Sequence, residues 1–283
     1  MNRSKSFDNS KPLIYLIATP IGNLGEMSKR ALDVLQDMDI IAAEDTRNTF
    51  SLLSNFGIKK ELFSLREHNE IEASEHLIKL AKSGKKVAYV SDAGYPGISD
   101  PGYLLVKKAR EEDVAVSTIS GSCAFINALV ASGLPTNHFY FYGFLSKKGQ
   151  EAKKALEELS NRNETLIFYE SPHQIEETIK LLNSVLGDRE CVIARELTKI
   201  NEEYISGKLS ELVNLDFKTI KGEMVIILEG QPKSDNEISD EKIQDKIRFY
   251  LSLGVSEKAA IQIAVEELKV PKNRVYKLVQ EMK

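Results

Sequence analysis

Four short apolar runs, PLIYLIA (12–18), DIIAAE (39–44), KKVAYVSD (85–92) and VAVSTI (114–119), restrict this chain more than any other feature. Most are separated by segments whose apolar residues recur at steps of three and four: SKRALDVLQDM (28–38), RNTFSLLSNFG (47–57), IEASEHLIKLAKSG (71–84) and GYLLVKKAREE (102–112). Strand alternating with helix demands a mostly parallel sheet, because parallel neighbours need crossovers and helical crossovers cover the sheet's faces. Ligands of such sheets bind beyond the carboxyl ends of the strands. The loops that follow the apolar runs are therefore where function is expected.

The loop after the third run is the densest. VSDAGYPGISDPGY (90–103) holds three glycines, two prolines and two aspartates, more than a strand-to-helix turn requires. Gly94, Gly97 and Gly102 open the backbone to close approach by a ligand. The ending predicts a helix with Ser99 or Asp100 as N-cap and Pro101 at its first position. Read alone, this is an anion cradle at a helix N-terminus.

A second pattern begins near residue 121. SCAFINALVASG (122–133) is helical; then come HFYFYGF (138–144), the helix GQEAKKALEELSN (149–161), TLIFYES (165–171), the helical PHQIEETIKLLNSVLG (172–187), ECVIARELT (190–198), EEYISGKL (202–209) and GEMVIILEG (222–230). The last three strands follow one another with little helix between them, which predicts antiparallel pairing in a mixed second sheet. Residues 232–240 lie in the polar stretch QPKSDNEISD and read as a linker, and 241–283 as three short amphipathic helices of helix-turn-helix type. The expected organisation is a disordered N-terminus (1–11), an N-terminal α/β domain (12–120), a second α/β domain (121–231), the linker, and a small all-α C-terminal domain.

Composition excludes several classes. The 283 residues are 42% hydrophobic and 28% charged, as in a soluble globular protein. No run approaches a membrane span, and MNRSKSFDNSK lacks a signal peptide's apolar core, so a cytoplasmic product is expected. Cys123 and Cys191 stand far apart without Cys/His clustering, which supports neither a disulfide framework nor a zinc site. A net charge of −4 is not that of a basic nucleic-acid clamp, although Lys272, Arg274, Lys277 and Lys283 give the last helix a basic character.

Polar groups recur where the strands end. ATPIGNLGEMS (18–28) follows the first run and matches neither the dinucleotide fingerprint nor a P-loop. AEDTRNT (43–49) places Glu44 and Asp45 beside Arg47; SLREHNE (64–70) adds Arg66 and His68. In the second half, FYESPH (168–173) brings Glu170 and His173, and ARELTK (194–199) brings Arg195, Glu196 and Lys199. Helix capping and surface ion pairing account for such groups one at a time. Their repetition in both halves predicts two sheets facing one another across a ligand cleft, in an enzyme without a G-x-S-x-G elbow or a Cys/His pair.

Taken in order, YLIATPIGNLGEMSKRALDVL, IAAEDTRNT, VSDAGYPGISDPGY, ISGSCAFINALVASGLP, FYGFLS, LIFYESPH, ARELTK and GEMVIILEG resemble the ribosomal RNA 2′-O-ribose methyltransferase branch of the tetrapyrrole methylase family. The resemblance runs from about residue 12 to 230, and the tail is similar to that branch's C-terminal helical domain. It implies a two-lobed fold binding S-adenosylmethionine as methyl donor, a homodimer, and 2′-O-methylation of a decoding-centre cytidine in 16S rRNA of the small ribosomal subunit. Carried over by position, Asp92, Ala93, Gly94 and Ile98 line the donor pocket from the Gly-rich loop. Ser120, Gly121, Ser122 and Ala124 do so from the domain junction, Phe168 and Tyr169 from the second lobe, and Thr19 and Pro20 from the first loop. The tetrapyrrole-acting branch has Gly-x-Gly-Pro-Gly in that first loop, whereas ATPIGN here is similar to the RNA branch. Tyr95 and Gln174 stand where threonine and arginine are expected, and both bear on substrate contacts.

Methyl transfer from a sulfonium is an in-line displacement that needs no metal, but a ribose hydroxyl needs a proton acceptor. Glu44, Asp45, His68, Glu170 and Lys199 are candidates, with the Glu44–Asp45–Arg47 cluster first. Arg47, Arg66 and Arg195 are expected to hold flanking phosphates, and Glu170, His173, Lys272, Arg274 and Lys277 complete the RNA-facing set. Two rivals stay open: a small-molecule, tetrapyrrole-type methyltransferase, and a non-catalytic RNA-binding protein with this fold.

Overall fold

The computed structural model describes residues 12–231, 239–268 and 270–282. The expected disordered N-terminus, most of the linker and Lys283 lie outside them. The chain forms two compact units, divided between Gly230 and Gln231.

The first unit holds two five-stranded sheets. The first sheet contains β1 (Leu13–Ile17), β2 (Ile40–Ala43), β3 (Glu61–Ser64), β4 (Val87–Val90) and β5 (Ala115–Ile119) in the order β3-β2-β4-β1-β5, with every pairing parallel. β2 and β4 are buried along their whole length, which is why they read as unbroken apolar runs. Alternation splits their side chains between two cores. Ile40, Ala42, Val87 and Tyr89 pack with Leu77 and Ile78 of α3 (Glu70–Lys82) and Leu105 of α4 (Tyr103–Glu111). Ile41, Ala43, Ala88 and Val90 pack with Leu35 of α1 (Lys29–Asp37) and Leu53 of α2 (Thr46–Asn55). Each such Ile or Leu contributes roughly 1.5–3 kcal/mol by leaving water.

This division creates a crevice. The chain leaves β1 toward the α1/α2 face and leaves β4 toward the α3/α4 face, although the two strands are neighbours. Their following loops must part, and that is the topological switch point at which such sheets bind ligands.

The second sheet has the order β6-β7-β10-β8-β9, with β6 (Phe139–Phe144), β7 (Thr165–Glu170), β8 (Glu190–Arg195), β9 (Glu203–Lys208) and β10 (Met224–Leu228). β6 and β7 are parallel, joined across α6 (Gly149–Leu159); β10 runs antiparallel to both β7 and β8, and β8 to β9, so the sheet is mixed as expected. α6, α7 (Ile175–Leu186) and the short α8 (Leu209–Leu212) cover one face. α5 (Ala124–Ala131) covers the other, and Ile21 and Leu197 pack against that same cluster.

The second unit is a three-helix cluster of α9 (Asp240–Ser252), α10 (Glu257–Leu268) and α11 (Lys272–Glu281), closed around Ile243, Ile247, Ile261, Ala264, Val275 and Val279. Ser239 caps α9, and Pro271 precedes α11. Among the described residues no helix is long and apolar enough to cross a membrane.

Candidate active site

At the switch point a cavity of about 330 Å³ is walled by both sheets' loops, a volume within the range of small-molecule sites. Ile21 follows β1; Ala93, Gly94, Tyr95, Ile98, Ser99 and Asp100 come from the Gly-rich loop; Cys123 and Ala124 open α5. From the second sheet come Phe144, Tyr169, Glu170, Leu197, Lys199, Met224 and Val225. A smaller cavity of about 280 Å³ adjoins it, lined by Pro20, Gly22, Leu24, Asn48, Thr49, Ser51, Leu52, Asn55, Ser91 and Asp92. The two share the loops 20–22 and 91–94, whose backbones pair across Thr19 and Gly94 with N–H to carbonyl distances of 2.9 and 3.0 Å.

The Gly-rich loop is held from several directions. Thr19 is buried and its Oγ1 donates to the Ser91 carbonyl at 3.1 Å; Tyr89 Oη donates to the Pro101 carbonyl at 3.1 Å. Ser99 is left-handed at φ 60°, so the chain cannot enter a helix there. The sequence reading is corrected at this point: α4 starts at Tyr103 with Gly102 as its cap residue, not at Ser99, Asp100 or Pro101. The cap is tertiary. Glu70 Oε1, at the start of α3, accepts from the N–H groups of Gly102 and Leu104 at 2.8 and 2.9 Å. A carboxylate already fills the positive end of α4, so the anion cradle read from the loop alone is closed.

The expected donor-pocket residues divide. Ala93, Gly94, Ile98, Ala124 and Tyr169 line the larger cavity, whereas Pro20 and Asp92 line the smaller. Ser120 is exposed, and neither it nor Gly121 nor Ser122 lines the cavity. Gly121 passes so close to Ala18 that an added Cβ would lie 2.9 Å from the Ala18 Cβ, its N–H donates to Tyr95 Oη, and Ser122 Oγ donates to Glu26. Phe168 is corrected outright: it is fully buried among Leu156, Ile179 and Ile193, on the opposite face of β7 from Tyr169, because successive strand residues alternate. Tyr95, where threonine was expected, ties the Gly-rich loop to the junction. Gln174 is the cap residue of α7.

Glu44 and Asp45 end β2 close to Asp92. Asp92 accepts from the Asp45 N–H at 3.1 Å and from Asn48 Nδ2 at 2.8 Å. Asp45 caps α2 and is paired with Arg47, whose guanidinium holds its carboxyl far below the usual range. That makes Asp45 a weak proton acceptor. Glu44 goes the other way: desolvation, then the charge of Asp92, raises its carboxyl. Asp100, which sequence reasoning considered only as a cap, is pushed up to about 7 by burial and then by Glu44 and Asp92, with a Ser91 hydrogen bond opposing. Its position in the Gly-rich loop was a signal; its approach to Glu44, at the far end of another strand, was not visible.

The remaining candidates scatter. Arg66 is exposed and its Nε donates to the Glu44 carbonyl at 3.1 Å; His68 is exposed in a short 3-10 helix and His173 in a turn. Glu170 lines the cavity but is held by Thr178 Oγ1 at 2.6 Å and the Ser171 N–H at 2.7 Å. Arg195 pairs with Glu203, and Lys199 with Glu196 at 3.0 Å. Of the terminal cations, Arg274 binds Asp240 at 2.7 Å, Lys277 lies 3.8 Å from Glu281, and Lys272 is exposed. Among the described residues no group of His, Cys, Asp and Glu could hold a metal ion.

Comparisons with known proteins agree with this architecture. The profile of the Tetrapyrrole (Corrin/Porphyrin) Methylases matches residues 13–213. A ribosomal RNA small subunit methyltransferase I from Bacillus subtilis (strain 168) is 42% identical across 98% of this chain and 97% of its own length. The protein so named from Vibrio cholerae serotype O1 is 43% identical across 98% and 97%. The crystal structure of uroporphyrin-III-C-methyltransferase from Thermus thermophilus covers 78% of this chain and 95% of its own with a TM-score of 0.55 at 18% identity, a likeness of fold. With its parallel and mixed sheets and its switch-point cavity, the chain belongs to the tetrapyrrole methylase family, a family of methyltransferases.

Proposed function

We propose that this protein transfers a methyl group from S-adenosylmethionine to the 2′-hydroxyl of a decoding-centre cytidine in 16S rRNA of the small ribosomal subunit. The observation that carries this reading is the chemistry of the switch-point cavity. Its walls are apolar at Ile21, Ile98, Ala124, Tyr169, Leu197 and Val225, as an adenine ring requires, and they carry Asp100, Glu170 and Glu223 rather than free cations. Lys199, the cation among them, is already paired with Glu196. Such a wall suits a positively charged donor better than a phosphate. When bound, S-adenosylmethionine supplies an electrophilic methyl on a sulfonium. The chain's part is to hold and orient it, to exclude water, and to accept the hydroxyl proton at the acidic end where Glu44, Asp92 and Asp100 converge.

The names of the full-length relatives support RNA as acceptor. Arg47, with a side chain 85% exposed, and the exposed Arg66 stand beside the acidic end and are assigned, with Arg195 of the second sheet, to flanking phosphates. The exposed apolar side chains of Ile126 and Val130 on α5 and Phe139 on edge strand β6 support a homodimer. Cytoplasmic residence follows from the proposed substrate. The test is transfer of labelled methyl to assembled small subunits, followed by mapping of the modified nucleotide. A label on one cytidine ribose is the expected result; transfer to a tetrapyrrole acceptor instead would overturn it.

A further inference from the structure

We infer that Asp100 is the proton acceptor of the transfer reaction, an inference that rests on the methyltransferase reading above. The argument is one of position and partners. Four carboxylates stand on the wall of the donor cavity, Asp100, Glu170, Glu196 and Glu223. Glu170 is committed to Thr178 and Ser171, anchoring β7 to α7, and Glu196 is committed to Lys199. Glu223 is exposed at the start of β10. Asp100 is half-buried and belongs to a loop fixed on both sides of it: Ile98 N–H donates to the Tyr95 carbonyl, Gly97 N–H to Pro101, Tyr89 Oη to Pro101, and Gly102 N–H to Glu70. A base must be held in place as well as be basic. Asp45, the acid beside Glu44, is tied to Arg47 outside this wall.

Asp100 lines the larger cavity, while Asp92, whose charge it senses, lines the smaller. The groups around it are Glu44 at the end of β2, Asp92 and Ser91 on its own loop, Tyr89 on β4, and Tyr169 on β7. None of these is a cation; burial first, then the charges of Glu44 and Asp92, pushes its carboxyl up to about 7 against the Ser91 hydrogen bond, close to the pH at which a general base works best. In the step itself, the bond from the ribose 2′-oxygen to the methyl carbon forms as the carbon–sulfur bond breaks and its electron pair stays on sulfur. Asp100 takes the hydroxyl proton and passes it to water.

The experiment uses the full chain and carboxyl-labelled aspartate. Carbon-13 NMR of the free protein is expected to show one aspartate titrating near 7 that disappears in Asp100→Asn. Methyl transfer to assembled small subunits is then followed against pH, with S-adenosylmethionine affinity measured by calorimetry, which also reports folding of the variant. Wild-type kcat should rise to a plateau through that inflection. Asp100→Asn should lower the plateau about 10²- to 10⁴-fold and erase the inflection, with donor affinity falling far less than the rate, as the loss of one wall charge among several requires. Glu44→Gln removes a neighbouring negative charge, so its inflection should persist and move to lower pH. Activity of Asp100→Asn within tenfold of wild type, an inflection that survives in it, or donor affinity falling in step with rate would each overturn the assignment. A wild-type protein that binds the donor and methylates nothing on small subunits would overturn the parent reading instead.

Discussion

Glu70 shows how a residue with no part in chemistry sets the geometry of a site. Its carboxylate reaches 32 positions along the chain to cap α4, and the backbone it holds is the end of the Gly-rich loop. Glu70→Ala leaves two N–H groups without their acceptor and is expected to cost about 1–3 kcal/mol in a denaturant titration, with weaker donor binding by calorimetry. No local pattern marks this residue; the cap exists only once α3 and α4 pack side by side. Asp100 carries a second residue-scale consequence. Its folded-state value of about 7 lies above the unfolded value near 3.8, so between these the folded chain keeps a proton that the unfolded chain has lost. Stability therefore falls as pH rises from about 4 to about 7 and is level above that. Because the group is half-exposed, about 1–2 kcal/mol is expected across this window. Thermal unfolding of Asp100→Asn against pH should show that slope reduced.

At the scale of elements, periodicity carries far but not everywhere. β2 and β4 were legible because strands buried on both faces are uninterrupted apolar runs, and the amphipathic α1, α3 and α7 were legible by their spacing. β3, with one exposed and three half-buried residues, is not among the four apolar runs that mark the other strands of its sheet, since an edge strand has half the reason to be apolar. The start of α4 was misplaced because Gly97–Pro101 pairing and Glu70 delay the helix beyond its best local cap. α2 presents a third case. Asn48, Ser51 and Asn55 fall on one helical face and line the smaller cavity with amides and a hydroxyl, groups that suit a neutral nucleoside edge. Asn55→Leu is expected to raise KM for small subunits several-fold while leaving calorimetric donor affinity unchanged.

For the whole molecule, every residue on the walls of both cavities belongs to the first compact unit. A chain lacking residues 236–283 should therefore bind S-adenosylmethionine with unchanged affinity. If the basic residues of α11 contact RNA, that chain should bind small subunits more weakly and with a shallower dependence on salt, since fewer counterions are released. Fold class was legible at this scale; strand order was not, because it is settled by contacts such as β1 with β4, some 70 residues apart. The pairing of Thr19 with Gly94 has a thermodynamic meaning of its own. It is a party wall, with Ile21, Ala93 and Gly94 facing one room and Pro20, Gly22 and Asp92 the other. Occupancy on one side that shifts this wall must change affinity on the other, and the two effects are equal by linkage. The factor by which an unreactive donor analogue alters binding of small subunits should match the factor by which small subunits alter binding of the analogue.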